Sequence, residues 1–312
     1  MDQPRKHEKY DALIAAGRAK GPLRTAVVHP CDESSLTGVL EAATLGLIEP
    51  LLVGPESRIR ALAGALHLNL GTLPIVDVPH SHAAAEKAVQ MVRAGEASAL
   101  MKGSLHTDEF MAEVVRKDIG LRTERRVSHV FIMDVPTYVK PLFITDAAVN
   151  ISPTLEDKAD IVQNAIGLAQ ALRIERPKVA ILSAVETISS KIPSTIDAAA
   201  LCKMAERGQI TGGVLDGPLA LDNAISQEAA AVKHISSPVA GDADILLVPD
   251  LESGNLLAKE LSFLANADAA GIVLGARVPI ILTSRADNLR TRLASCAVAA
   301  LYAAALRRLI KV

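Results

Sequence analysis

The chain of 312 residues predicts an α/β protein of two domains, each built on a largely parallel sheet covered by helices. Three observations predict it. Short β-branched runs alternate with helical runs across connections of a few residues, which is how βαβ units read in sequence. Half of the residues are hydrophobic, yet only 2% are aromatic and tryptophan is absent, so the core must be Ala, Val, Ile and Leu, as in helix-covered parallel sheets. The alternation breaks once, where two strand-like runs, 127–135 and 141–145, are joined by the turn Pro136-Thr137.

The elements follow in order. Residues 8–19 predict a helix, 25–29 a strand and 32–45 a helix; 50–54 and 56–66 repeat the pair, as do 74–78 and 82–94. The strand 98–101 runs into Lys102-Gly103-Ser104 and is followed by a helix over 107–117. Beyond the break, 155–172 is strongly amphipathic, with Ile161, Val162, Ala165, Ile166 and Ala169 on one face. A strand at 179–182 precedes a helix that Ser194-Thr195 open and Gly208 closes as a C′ glycine. Strands at 213–215, 243–248 and 270–274 are separated by helices at 222–233 and 255–264. The β-branched run 278–282 is a buried strand, and from Asp287 the apolar residues Leu289, Leu293, Cys296, Ala297 and Ala300 fall at helical spacing as far as about 309. If this last helix packs back on the first series, the first domain is discontinuous: 1–138 plus 283–312, against a second domain of 139–282, with a cleft between them.

Composition narrows the function classes. A net charge of −2 gives no electrostatic case for nucleic acid or an anionic membrane. No apolar run reaches the length of a membrane span, and the charged start MDQPRKHEKYDAL lacks a signal-peptide core. The cysteines Cys31, Cys202 and Cys296 are odd in number, far apart and in apolar surroundings, which reads as reduced thiols of a cytoplasmic protein. Cys31 lies near a strand end. No GxGxxG, GxxxxGK[ST] or GxSxG pattern is present, and His80-x-His82 has no third ligand at a metal-binding spacing, so it reads as a solvated helix start.

Polar residues gather where strands end, which in open α/β sheets is where ligands bind. Lys102, Ser104 and His106 follow 98–101; Asp146 follows 141–145; Asp216 follows 213–215; Asp250 and Asn255 follow 243–248. Ser284, Arg285 and Asp287 lie between the last strand and the last helix, where unpaired amides attract anions. Structural readings stand beside these. Lys102 can be a solvated strand end, Asp216-Gly217 a plain turn, and Asp250 a cap of the helix that follows. Ser284-x-x-Asp287 is also a capping-box pattern, although a cap has no need of Arg285.

Several stretches together resemble the phosphate acetyltransferase and phosphate butyryltransferase family: MKGSLHT at 101–107, SHVFIMDVP at 128–136, VAILSAVET at 179–187, LDGPLALDNAI at 215–225, SPVAGDADILLVPDLESGN at 237–255 and TSRAD at 283–287. They keep the family's order over about the last two thirds of the chain, and TSRAD is similar to the butyryl-transferring branch. The resemblance implies two α/β/α domains with a central cleft, of the isocitrate/isopropylmalate dehydrogenase-like fold, and a homodimer. It implies the reaction acyl-CoA + phosphate ⇌ acyl phosphate + CoA, with coenzyme A as a substrate and no metal or redox cofactor. It also implies that Arg285 binds the phosphate or the developing oxyanion, that Ser284 hydrogen-bonds the transition state, and that an aspartate serves as base toward the CoA thiol. The acetyl-transferring branch has that aspartate where this chain has Thr291, which leaves Asp287 as the substitute. An arginine of the relatives falls near Glu113, which leaves Arg116 or Arg125 to replace it. The other function classes compatible with the fold are an NAD(P)-dependent dehydrogenase and a non-catalytic acyl-CoA-binding protein.

Overall fold

The computed structural model describes residues 7–284 and 287–310. They form two compact units: a central unit, Ser128–Asp268 with the described residues up to Lys9, and a flanking unit, Tyr10–Val127 with the chain from Ala269 onward. The chain opens with α1 (Glu8–Arg18), then β1 (Leu23–Val28), α2 (Glu33–Thr44), β2 (Ile48–Gly54), α3 (Glu56–Ala65), β3 (Ile75–Asp77), α4 (Ser81–Arg93), β4 (Ala99–Lys102) and α5 (Thr107–Val114) of the flanking unit. The central unit holds β5 (Ser128–Asp134), β6 (Leu142–Thr145), α6 (Leu155–Ala171), β7 (Lys178–Leu182), α7 (Pro193–Glu206), β8 (Val214–Leu219), α8 (Leu221–Ile225), α9 (Gln227–Val232), β9 (Ile245–Leu247) and α10 (Leu251–Phe263). The chain returns to the flanking unit through β10 (Asp268–Leu274), β11 (Ile280–Ile281) and α11 (Leu289–Ile310).

In the flanking unit the strands run β3-β2-β1-β4-β11-β10, parallel except that β10 is antiparallel to β11. In the central unit they run β5-β6-β9-β7-β8, parallel except that β5 is antiparallel to β6. The core is aliphatic, as the composition predicts: Val27, Val28, Leu52, Leu100, Ile280, Ile281, Ala297 and Val298 are all fully buried in the flanking unit. Asp32 starts α2 by accepting from Ser35 N, and Thr154 with Asp157 forms a capping box on α6. His80 Nδ1 accepts from Ala83 N at 3.1 Å, so this histidine caps α4.

The division falls elsewhere than at 138/139 and 282/283. β5 pairs with β6, Val130 opposite Thr145, so both belong to the central unit. β10 pairs with β11, Ile272 opposite Ile281, and β11 with β4, so the return crosses at Ala269. Three local expectations change as well. The stretch Asp216-Gly217-Pro218 is not a turn: β8 runs through it to Leu219. The helix expected over 222–233 is two, because Ser226 is extended and caps α9 through Ala229 N. α10 begins four residues before Asn255, at Leu251. Finally, α11 is long and apolar enough to cross a membrane, which no run of the sequence suggested, and 67% of that stretch is buried, as in a core helix.

Candidate functional site

In the flanking unit, register brings the ends of three strands together. Val28 lies opposite Lys102 between β1 and β4, and Ile281 lies opposite Met101 between β11 and β4. His29, Lys102 and the turn Thr283-Ser284 therefore leave the sheet side by side. Gly103 is required there: a Cβ on it would lie 2.4 Å from the Val28 carbonyl oxygen. That close approach lets Gly103 N donate to Val28 O and Ser104 N to His29 O. Ser104 Oγ donates to His29 O at 2.9 Å, accepts from Cys31 N at 3.2 Å and lies 3.1 Å from His29 Nδ1. His29 takes a left-handed φ of 54° to make this knot. Burial and the Arg58 charge hold the His29 imidazole below its usual range, so it is neutral at pH 7. Burial pushes the Cys31 thiol up to about 11, which removes it as a thiolate nucleophile.

Lys102 is buried, 5% exposed, and its charge faces Asp287. Ser284 is exposed, while its backbone is held on both sides: its N–H donates to Asp287 Oδ2 at 2.6 Å, and its carbonyl accepts from Arg292 Nη2 at 2.9 Å. Burial raises the Asp287 carboxyl above its usual range, opposed by the Ser284 amide and by the Arg292 and Lys102 charges. The capping-box reading of Ser284-x-x-Asp287 is not what forms. α11 starts at Leu289, and Asn288 Oδ1 caps it by accepting from Thr291 N at 2.9 Å. Asp287 thus closes the turn before the helix and does not cap the helix itself. Arg285 lies outside the described residues.

In the central unit Thr145 lies opposite Leu247, so β6 and β9 end together and bring Asp146 and Asp250 to one edge. Both carboxylates serve backbone. Asp146 is buried and accepts from Ala148 N, Val149 N, His129 N, Asn150 N and Asn150 Nδ2 at 2.6–3.3 Å. Asp250 caps α10 through Ser253 N at 2.8 Å, as its capping reading predicts. Asn255 Nδ2 donates to Ala147 O at 3.2 Å, and a Cβ on Gly254 would lie 2.9 Å from Asp146 O, so α10 packs tightly on the loop after β6. His129 beneath Asp146 is fully buried with no partner for either ring nitrogen among the described residues, and desolvation pushes its pKa down. Asp216 sits mid-strand with Oδ1 accepting from Gly217 N, and its charge bears on Cys202 of α7. It is therefore a strand residue facing a helix and not a strand-end group.

Of the expected residues, Lys102, Ser104, Ser284 and Asp287 come together in the flanking unit, and Asp146, Asp250 and Asn255 in the central unit. His106 is exposed just before α5 and makes no capping bond. Neither suggested arginine stands in this cluster. Arg116 is half-buried and paired with Glu113 and Asp118. Arg125 lines a cavity of about 590 Å³ with Ser98, Val278 and Tyr302, at the starts of β4 and β11 and away from their Ser284 ends. Residues that sequence reasoning missed are His29, Thr283, Arg58 and Arg292. His29 had a signal in ending a strand, as Lys102 does; Arg292 had none, reading as one more helix arginine.

Both α/β units carry polar residues at parallel strand ends, and in the flanking unit these are a buried lysine, hydroxyls and a carboxylate. The model of one family, Phosphate acetyl/butaryl transferase, matches residues 80–300, and the chain belongs to that family. It is 68% identical over 301 residues to the phosphate acetyltransferase of Rhizobium meliloti, covering 96% of this chain and 95% of that one. It is 42% identical over 296 residues to the phosphate butyryltransferase of Clostridium acetobutylicum, covering 95% and 98%. A branched-chain phosphotransacylase from Enterococcus faecalis V583, known from its crystal structure, superposes with a TM-score of 0.77 at 32% identity, covering 90% of this chain and 99% of that one.

Proposed function

We propose that the chain is a phosphate acyltransferase that interconverts acyl-CoA plus phosphate with acyl phosphate plus CoA. A phosphate oxygen attacks the thioester carbonyl, the carbonyl oxygen takes the developing charge, the C–S bond breaks, and the departing sulfur takes a proton. The observation that carries this reading is the strand-end cluster of the flanking unit in a member of this family: the Ser284 hydroxyl on a turn with a held backbone, beside the buried Lys102. Ser284 donates to the carbonyl oxygen as it becomes an oxyanion, and Arg285 and Lys102 bind phosphate. Asp287 exchanges the proton with the CoA sulfur. Its raised pKa supports this, because it narrows the gap to a free thiol at about 8.5. Ser104 and His106 in the flanking unit, and Asp146, Asp250 and Asn255 in the central unit, are further substrate-binding candidates. Asp146 and Asp250 would act there through the loops they order, since both carboxylates already accept backbone amides. The chemistry needs no metal or redox cofactor, and CoA enters as substrate.

The units correspond in this reading to the two domains of an isocitrate/isopropylmalate dehydrogenase-like fold. A cytoplasmic location is supported by the free cysteines Cys31, Cys202 and Cys296. A homodimer is supported by the exposed Leu256, Phe263 and Leu264 in and just after α10. Acetyl-CoA is the preferred thioester, supported by the 68% identity to a phosphate acetyltransferase. Phosphate-dependent thiol release from acetyl-CoA and butyryl-CoA tests the reading. Release with acetyl-CoA that needs phosphate is expected, and no release with either thioester would overturn it.

A further inference from the structure

Arg292 lies on the first turn of α11 and is 3% exposed. Its guanidinium spans three acceptors on two separate segments. Nη1 donates to Thr283 Oγ1 at 2.9 Å, and Nη2 donates to the Ser284 carbonyl at 2.9 Å and to Ser34 Oγ at 3.2 Å. Its stem crosses α2 at Gly38, where a Cβ would lie 2.7 Å from Arg292 Cδ, so a larger residue would displace it. Asp32, which caps α2, and Asp287 both feel its charge. A buried cation is costly to hold and an aliphatic side chain would pack α11 on α2 more simply. What an aliphatic residue could not supply is a planar fork of donors joining the 283–284 turn to the start of α2.

We propose that Arg292 is a positioning residue: it clamps the Thr283-Ser284 turn to α2 and thereby fixes where the Ser284 hydroxyl stands relative to Lys102. The proposal rests on the reading of Ser284 as the donor to the thioester carbonyl. Arg292 need touch neither phosphate nor thioester. Its effect falls on the turnover step, because a reacting group displaced by about 1 Å costs on the order of 100-fold.

Arg292→Met removes the clamp, and Arg292→Lys keeps the charge but not the fork. In Arg292→Lys, kcat for phosphorolysis of acetyl-CoA is expected to fall by about 30-fold or more while KM for acetyl-CoA stays within about twofold. Hydrogen exchange at the amides of Ser284 and Asp287 is expected to accelerate by about tenfold or more, with amides from Ser295 onward unchanged. Arg292→Met is expected to show the same pattern more strongly; if it fails to fold, the lysine variant carries the test. Wild-type kcat in folded Arg292→Lys, or wild-type exchange at Ser284 and Asp287, would overturn the proposal. If the wild-type protein itself releases no thiol, the functional reading fails, and the exchange measurement still decides whether Arg292 holds the turn.

Discussion

Both units collect polar residues at the ends of parallel strands, yet they use them differently. In the central unit the carboxylates are spent on their own backbone: Asp146 accepts five N–H groups and Asp250 caps α10. In the flanking unit the order runs the other way. Ser284 is held by its backbone, between Asp287 and Arg292, and its side chain stands exposed at the sheet edge. A polar residue at a strand end is therefore engaged through its side chain, as Asp146 and Asp250 are, or through its backbone, as Ser284 is. Position alone does not decide it.

The largest effect that would sharpen this contrast belongs to Asp146. Removing it leaves four backbone amides and the Asn150 side-chain amide without their acceptor in a buried site. Asp146→Ala is expected to destabilise the protein by about 3–5 kcal/mol, the scale of breaking a buried charged network. Chemical denaturation measures it, and a loss under 1 kcal/mol would mean that the carboxylate is not the organising group of the loop. Ser284→Ala comes next. It should leave the melting temperature unchanged and lower kcat by about 100-fold, as loss of one donor to a developing oxyanion does. A stable Ser284→Ala protein with full turnover would erase the distinction between the two edges. Asp250→Ala should cost about 1 kcal/mol, the usual cost of a lost helix cap. If it also abolishes turnover without loss of stability, the central-unit carboxylates are more than structural.

Much of the fold was legible because period and punctuation are local. The strands at β1, β2 and β4 and the α6 stripe all follow from apolar spacing and short connections. The placement of Lys102, Ser104 and Ser284 at strand ends was legible for the same reason. Where the reading failed, the cause was long-range packing. Asp216-Gly217-Pro218 has turn residues, but Gly217 is there because a Cβ would lie 2.7 Å from Ile181 O on the neighbouring strand. The boundaries missed because pairing partners decide them: β5 follows β6, and β10 follows β11. Arg292 was invisible because its significance comes from Gly38 and Ser34, far away in sequence.

The smallest effect is also the one whose sign separates the two uses of a carboxylate. Asp287 is raised by burial, in spite of its bond from Ser284 N–H and the Arg292 and Lys102 charges. A carboxyl whose folded pKa exceeds its unfolded value favours folding fully only below the unfolded pKa, and that contribution is lost as pH rises through the folded value. Asp287→Asn cannot ionise, yet its amide oxygen can still accept from Ser284 N–H. The variant should therefore gain stability relative to wild type as pH rises from about 4, the usual carboxyl range, through the raised value, and hold that gain to pH 7. The gain should not exceed about 1 kcal/mol, the scale of a single local hydrogen bond. A carboxylate ionised to hold backbone would give the opposite slope, with the variant losing ground over the same range. Melting temperatures of both proteins between pH 4 and 7 measure the slope. If the variant falls behind as pH rises, Asp287 is a structural anion, and the proton acceptor for the thiol must be sought among the other side chains of that edge.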